Sequence, residues 1–339
     1  QISDYPVFTA AAPRMRVTVK RYDLLMVEEN AFIAVVMTDN SVVKNKLIRI
    51  PDTLSDTQLQ LLSTVLNSSF VGLTLEEMEA VAACGARLGI RHIKITGGEP
   101  LVRKDCCDLV KRIRKIPGIE TVTITTNGIL LADNLDRLAE AGIDGINISL
   151  DTLDPDRYRE LTGGGEIGRV LEGLDLAAAA HIPVKINAVS LDLGEQNWKD
   201  LLELGRERPV DVRFIEMMPI GYGKNFPSLD HRVLLKQMEA CYPGMEKDGR
   251  RHGFGPAVYY KIPGFKGSVG FISAIHGKFC SSCNRIRLTA TGDIKPCLCY
   301  SDHISIKNAL RNGSPEDVKA LLAQAISQKP AAHCFENIP

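Results

Sequence analysis

Three cysteines stand at spacing C-x2-C-x13-C: Cys280 and Cys283 in Phe279-Cys-Ser-Ser-Cys-Asn-Arg-Ile-Arg-Leu288, and Cys297 in Lys295-Pro-Cys-Leu298. Three thiolates on one loop and its neighbour can hold a metal ion or an iron–sulfur cluster. A structural zinc site takes four ligands. Cys299 is open as a fourth, but it lies two residues from Cys297, which makes a tight chelate. Three ligands and a vacant corner suit a cluster that binds a small molecule at its open iron. The plain alternative is three free thiols in a core. Cysteines paired at ligand spacing in a reduced compartment argue against it.

Other residue types suggest ligands. In Gly97-Gly98-Glu99-Pro100 the glycines let backbone approach a ligand closely. The glutamate supplies a carboxylate for an ammonium group, such as that of S-adenosylmethionine. A plain turn is the alternative. Arg285 and Arg287 alternate along an extended segment and so share a face. Lys94 and Lys185 lie within β-branched runs, and an inward lysine is costly to bury without an anion. The four cations together read as a socket for a phosphorylated ligand. The rival reading leaves the arginines in solvent and turns Lys94 outward. The histidines show no ligand spacing, and Cys106-Cys107 reads as packing.

The elements that must position these residues are legible from Leu73 onward. Thr74-Leu-Glu-Glu77 is a capping box for a helix running to about Leu88, closed by Gly89. Strands are expected at 91–96, 121–126, 145–150, 184–189 and 212–216, with helices between them at 106–116, 130–141, 168–180 and 197–207. Such β-then-α units predict a parallel sheet forming part of a TIM-type barrel. Each strand ends in polar or glycine residues, where such folds build their sites. A hairpin over 261–270 leads to the cysteine loop, and the tail forms one exposed helix at 315–327. Before Leu73, runs at 15–27 and 31–38, a turn at Asp39-Asn40-Ser41 and alternation over 42–50 predict a β-hairpin. A helix capped by Ser55 follows, burying Leu59, Leu61, Leu62, Val65 and Leu66.

The chain has 339 residues, with Lys plus Arg and Asp plus Glu at 41 each, so it has no general pull on nucleic acid or membrane. No apolar run reaches the roughly 18–20 residues of a membrane span. With no signal segment at its start, it is expected in the cytoplasm. Nine cysteines there mean metal or redox chemistry before disulfides. The first residue, Gln1, suggests a truncated or processed start.

Residues 73 to about 336 closely resemble the radical SAM GTP 3′,8-cyclases of molybdenum cofactor synthesis. The resemblance is carried by Ile95-Thr-Gly-Gly-Glu-Pro-Leu-Val-Arg103, Thr125-Thr-Asn-Gly128, Asn147-Ile-Ser-Leu-Asp151, Arg213-Phe-Ile-Glu-Met-Met-Pro219 and the cysteine loop. It implies that Cys280, Cys283 and Cys297 hold an auxiliary [4Fe–4S] cluster whose open iron takes the guanine end of GTP. It assigns Arg285, Arg287, Thr125, Lys185 and Lys94 (where the family usually has Arg) to GTP. It assigns Gly98, Ser149 and Met218 to S-adenosylmethionine, with Glu99 near its amino group. In the family a 5′-deoxyadenosyl radical takes the ribose 3′ hydrogen, and the carbon radical attacks C8 of guanine.

The family also opens with a strand leading into C-x3-C-x2-C, the ligands of the cluster that cleaves S-adenosylmethionine. Here no cysteine precedes Cys84 and that spacing is absent. Instead, residues 1 to about 77 resemble the central, GAF-like α+β part of the heat-inducible repressor HrcA, without its winged helix. This match rests on Ile2-Ser-Asp-Tyr-Pro6, Met37-Thr-Asp39, Val43-Lys-Asn-Lys-Leu47 and Leu62–Leu66 leading to Gly72-Leu-Thr-Leu-Glu-Glu77. The expectation is therefore a joined chain. Residues 1–72 are repressor-like, 73–219 form an incomplete barrel, and 220–339 carry the auxiliary cluster, with the family's glycine-rich tail missing after Pro339. It is expected to bind one cluster and GTP without cleaving S-adenosylmethionine. No nucleic-acid partner is expected and a homodimer is open. The rival function is a repressor-type regulatory fragment without catalysis.

Overall fold

In a computed structural model the described residues are 19–38, 43–70, 72–220, 223, 229–277, 279–333 and 335. The chain begins with β1 (Val19–Glu28), β2 (Ala31–Thr38) and β3 (Val43–Arg49), an antiparallel sheet in chain order. The expected hairpin is the β2–β3 pair, in register Met37↔Val43 to Ala31↔Arg49, and β1 adds a third strand. Its turn at 39–42 and the start of the first run lie outside the described residues.

Helix α1 (Asp56–Phe70) opens with the expected serine. Ser55 Oγ accepts from Gln58 N at 3.2 Å, and Gln58 Oε1 accepts from Ser55 N at 2.9 Å. Leu59 is buried, but Leu61 is 64% exposed, which corrects the expected stripe. Two steps of a 3.6-residue turn carry Leu61 to the far side of the helix from Leu59.

The main sheet follows. Helix α2 (Leu75–Arg87) starts with both bonds of the Thr74–Glu77 capping box. Strand β4 (His92–Ile95) leads through a short helical turn to α3 (Cys106–Arg114). Then come β5 (Thr121–Thr126), α4 (Leu131–Glu140), β6 (Gly145–Ser149), α5 (Pro155–Thr162), α6 (Ile167–Ala179), β7 (Val184–Val189), α7 (Glu195–Glu207) and β8 (Val210–Ile215). Strands β4 to β8 are parallel neighbours in chain order.

Period-two alternation sets the two faces of this sheet. Val122, Ile124, Ile146, Ile148, Val184, Ile186, Val210 and Val212 are buried beneath the helices. Each such side chain contributes about 1.5–3 kcal/mol. The intervening Thr123, Thr125, Asn147, Lys185, Asn187, Asp211 and Arg213 line the hollow face. Helices α4 and α6 meet at Gly173, where a Cβ would stand 2.9 Å from Leu131 Cβ.

After α8 (His231–Cys241), the short β9 (Glu246–Lys247), β10 (Val258–Lys261) and β11 (Ser268–Ile272) extend the sheet. The expected hairpin is the β10–β11 pair, Lys261↔Ser268. Strand β11 also pairs parallel with β8, Phe271↔Phe214, as a sixth parallel strand. The order is β4-β5-β6-β7-β8-β11-β10-β9, an open sheet with β4 at one edge. The fold is thus an incomplete TIM-type barrel. The amino-terminal strands keep to their own sheet and do not pair with the β4 edge.

The remaining strands β12 (Arg287–Leu288), β13 (Asp293–Lys295) and β14 (Ile304–Ser305) form a small antiparallel sheet, followed by α9 (Lys307–Asn312) and α10 (Pro315–Ser327). The tail helix α10, expected to be exposed, buries one face. Val318, Leu322 and Ala325 join Ile294, Ile306 and, from α2, Val81 and Cys84 in a second apolar cluster. The i, i+4, i+7 spacing of those three residues marks that face.

Candidate functional site

The hollow of the sheet is a cavity of ≈ 4020 Å³. Lys94 from β4, Thr125 from β5, Ser149 from β6, Lys185 from β7 and Arg213 from β8 all line it, with Arg285 and Arg287 entering from the cysteine segment. The cations shift one another. Lys94 is open to water in the cavity, yet loss of hydration among the surrounding atoms lowers its pKa to about 8; Arg213, Lys185, Arg285 and Arg287 push the same way. Lys185 is also lowered to about 8, first by burial and then by Arg213, with Asp211 opposing. Burial and Arg285 lower Arg287. Lys94, Lys185, Arg213, Arg285 and Arg287, five of the cations on this lining, make a place for a polyanion.

Two buried polar atoms here have no hydrogen-bond partner: Arg213 Nε and Asn187 Oδ1. Arg213 Nη2 donates to Asn147 Oδ1, and Asn147 Nδ2 donates to Ile124 O at 2.9 Å. An unfilled donor and an unfilled acceptor at the floor fit a ligand carrying both kinds of group. Neither residue was singled out from sequence, although the alternation Lys185-x-Asn187 and Asp211-x-Arg213 places each on the inward face.

At the carboxyl ends of the strands the wall is Gly97, Gly98, Glu99, Ser149 and Asp151. Glu99 Oε1 accepts from Leu101 N at 3.0 Å and Thr126 Oγ1 at 2.8 Å, and Oε2 accepts from Asn127 N at 2.6 Å. Three of about four acceptor sites are filled, so the carboxylate ties the ends of β4 and β5 together. Burial raises the Asp151 carboxyl to about 6 against an opposing bond from Val189 N. Met217, not Met218, is on the wall.

The cysteines are half-buried and free. Cys280 sits in the helical turn Phe279–Ser282, and Cys283 N donates to Cys280 O at 3.0 Å. Antiparallel pairing Arg287↔Lys295 brings Cys297 back towards the pair. Lys329 Nζ ties the two segments by donating to Arg285 O at 2.8 Å and Pro296 O at 3.0 Å. Burial raises the Cys283 thiol, but the Arg285 amide and guanidinium outweigh this and hold it below the usual thiol range. That favours thiolate, the ligating form. The three sulfurs are not gathered for one ion. Among the described residues only Glu216, Asp230 and His276 offer ligand atoms all within 4.8 Å of one another. An all-thiol donor set has the chemistry that holds an iron–sulfur cluster. The cysteines are not on the cavity wall, but Asn284, Arg285 and Arg287 beside them are.

One segment absent from the sequence expectations is 248–257, which also lines the cavity. Its Phe254 stacks on His92 of the edge strand β4 with ring centroids 3.3 Å apart, and Arg251 lies 4.4 Å over Phe254. No run of apolar or β-branched residues marks this Gly- and Arg-rich stretch. Among the described residues no helix is long and apolar enough to cross a membrane.

Comparison with known proteins places these features. Residues 67–206 match the family model of the Radical SAM superfamily, 210–335 that of Molybdenum Cofactor Synthesis C, and 1–92 that of the HrcA protein C terminal domain. A GTP 3′,8-cyclase of Clostridium perfringens (strain 13 / Type A) is 42% identical over 266 residues, covering 78% of this chain and 82% of that protein. One from Moorella thermoacetica is 43% identical over 270 residues, covering 78% and 83%. The crystal structure of Streptococcus suis SuiB bound to S-adenosylmethionine has the same fold, with a TM-score of 0.53, 13% identity and 86% of each chain covered. The chain therefore belongs to the GTP 3′,8-cyclase family of radical SAM proteins, which act in molybdenum cofactor biosynthesis.

Proposed function

We propose that the cavity is a GTP site between two cofactor positions. The convergence of Lys94, Lys185, Arg213, Arg285 and Arg287 carries this reading, because such a field needs a polyanion to balance it. Lys94, Lys185, Arg285 and Arg287 hold the triphosphate. Thr125 and the unfilled polar atoms of Asn187 and Arg213 take ribose or base edges. Cys280, Cys283 and Cys297 hold an auxiliary [4Fe–4S] cluster, and Arg285 favours the Cys283 thiolate for it. Gly98 and Ser149 cradle S-adenosylmethionine, with Met217 on the wall where the resemblance assigned Met218, and Glu99 stiffens the ends of β4 and β5.

In the family, S-adenosylmethionine cleaved at a first, amino-terminal cluster would supply the radical that joins ribose to guanine. The chain's residues orient the nucleotide and balance its charge. We also infer that residues 1–72 differ in origin from 73–219 and 220–339, which fold together, since β11 pairs with β8 and Leu322 packs with Val81. The repressor-type reading is confined to the first block.

No cysteine precedes Cys84, so this chain lacks the thiols of the cluster that cleaves S-adenosylmethionine. After anaerobic reconstitution, the expected result is iron for a single cluster and no 5′-deoxyadenosine above background. Iron lost on replacing Cys280, Cys283 and Cys297 with alanine supports the assignment. Release of 5′-deoxyadenosine, or iron unchanged in that variant, contradicts it.

A further inference from the structure

His252 carries a carboxylate on each ring nitrogen. Nδ1 lies 2.8 Å from Asp211 Oδ2, and Nε2 lies 2.9 Å from Asp248 Oδ2. An ionised carboxylate only accepts, so both nitrogens donate, and a ring that donates twice is the imidazolium. Both aspartates are fixed by other donors. Asp211 Oδ1 accepts from Ser268 N at 3.2 Å. Asp248 Oδ2 accepts from Ser268 Oγ at 2.8 Å and from Arg250 Nη2 at 2.6 Å. The ring lies flat on Tyr259, with centroids 4.1 Å apart.

Asp211 has a second cation. Its Oδ2 is 3.9 Å from Lys185 Nζ, which also stands 5.5 Å over the Tyr259 ring. The chain presses close here. Gly253 has φ +121°, and a Cβ on it would stand 3.3 Å from Lys185 Nζ. One oxygen, Asp211 Oδ2, thus faces both an imidazolium and an ammonium. The charged and titratable groups around the ring are Asp211 and Arg213 of β8, Lys185 of β7, Tyr259 of β10, and Asp248 and Arg250 of the segment before β10.

We propose that protonated His252 is a positioning residue for the triphosphate site: by sharing Asp211 Oδ2 it keeps the Lys185–Asp211 pair long, at 3.9 Å, and leaves Lys185 available to an anionic ligand. This rests on the reading of the cavity as a GTP site. Without the imidazolium, Asp211 draws Lys185 to itself. Without Asp211, Lys185 has no competitor for the phosphates. The two variants therefore act in opposite directions, which a merely structural role does not produce.

The test is equilibrium binding of GTP and guanosine to the anaerobically reconstituted chain at mildly acidic pH. His252→Gln is expected to weaken GTP on the order of tenfold while leaving guanosine unchanged. Asp211→Asn is expected to bind GTP as tightly as the parent or more tightly. Loss of GTP affinity in both variants overturns the proposal. Nitrogen NMR of histidine-labelled chain reads the ring directly. The expected result is a ring protonated on both nitrogens under the conditions of the binding measurement. A neutral His252 in a parent chain that binds GTP overturns the proposal alone. A parent that binds GTP no better than guanosine overturns the reading of the site and the proposal with it.

Discussion

Lys94 and Lys185 each have a pKa lowered to about 8, because lost hydration and neighbouring cations oppose their charge. The sign follows from the direction. A lysine depressed from 10.5 strains the empty fold below about 8, and that strain fades as pH rises towards the unfolded value. GTP affinity runs the other way, since it needs both ammonium groups. Binding is expected to weaken as pH passes through about 8, while the ligand-free chain grows more resistant to denaturant over the same range. Titration of both quantities together checks this; affinity flat across that range contradicts it. Asp151 offers a contrasting case. Its folded value of about 6 exceeds 3.8, so its stabilising contribution is full below 3.8 and lost as pH rises through about 6. Asp151→Asn is expected to stabilise the chain by up to about 3 kcal/mol at neutral pH. No difference is expected below 3.8. Denaturant melts at the two pH values decide, and equal stability at neutral pH would sink the assignment.

At the scale of elements, β-branched strands and capped helices were legible because local signals and burial agree. The 121–126 and 184–189 strands fall where Thr-Val-Thr-Ile-Thr-Thr and Val-Lys-Ile-Asn-Ala-Val place them. Long-range choices were not legible. Nothing local to Ser268–Ile272 says that it pairs parallel with β8 as well as antiparallel with β10. Nor does the amphipathic pattern of α10 name α2 as its partner. The cysteines and four of the cations were readable from type and spacing. Arg213, Asn187 and His252 required the sheet to gather them. The packing of α10 has a measurable consequence. Leu322→Ala is expected to cost about 2–4 kcal/mol, while Leu61→Ser, on the exposed side of α1, stays within about 0.5 kcal/mol. Reversed magnitudes in urea melts would contradict the packing of both helices.

At the scale of the whole molecule, two blocks meet near Gly72. Leu73 N donates to Ala290 O at 2.7 Å, which fastens the start of the barrel to the cysteine-bearing sheet. The barrel opens at β4, whose outer edge carries no strand among the described residues. The loop bearing Phe254 reaches His92 at that edge, so the cavity is walled by the 248–257 segment where the parallel sheet ends. This wall, the strand ends and the cysteine segment together enclose the five cations. GTP binding to the anaerobically reconstituted chain, compared with a Lys185→Ala, Arg285→Ala double variant, tests that arrangement most directly. The account predicts binding by the parent and a loss of at least about a hundredfold in the variant. Equal affinity in the two proteins would contradict it.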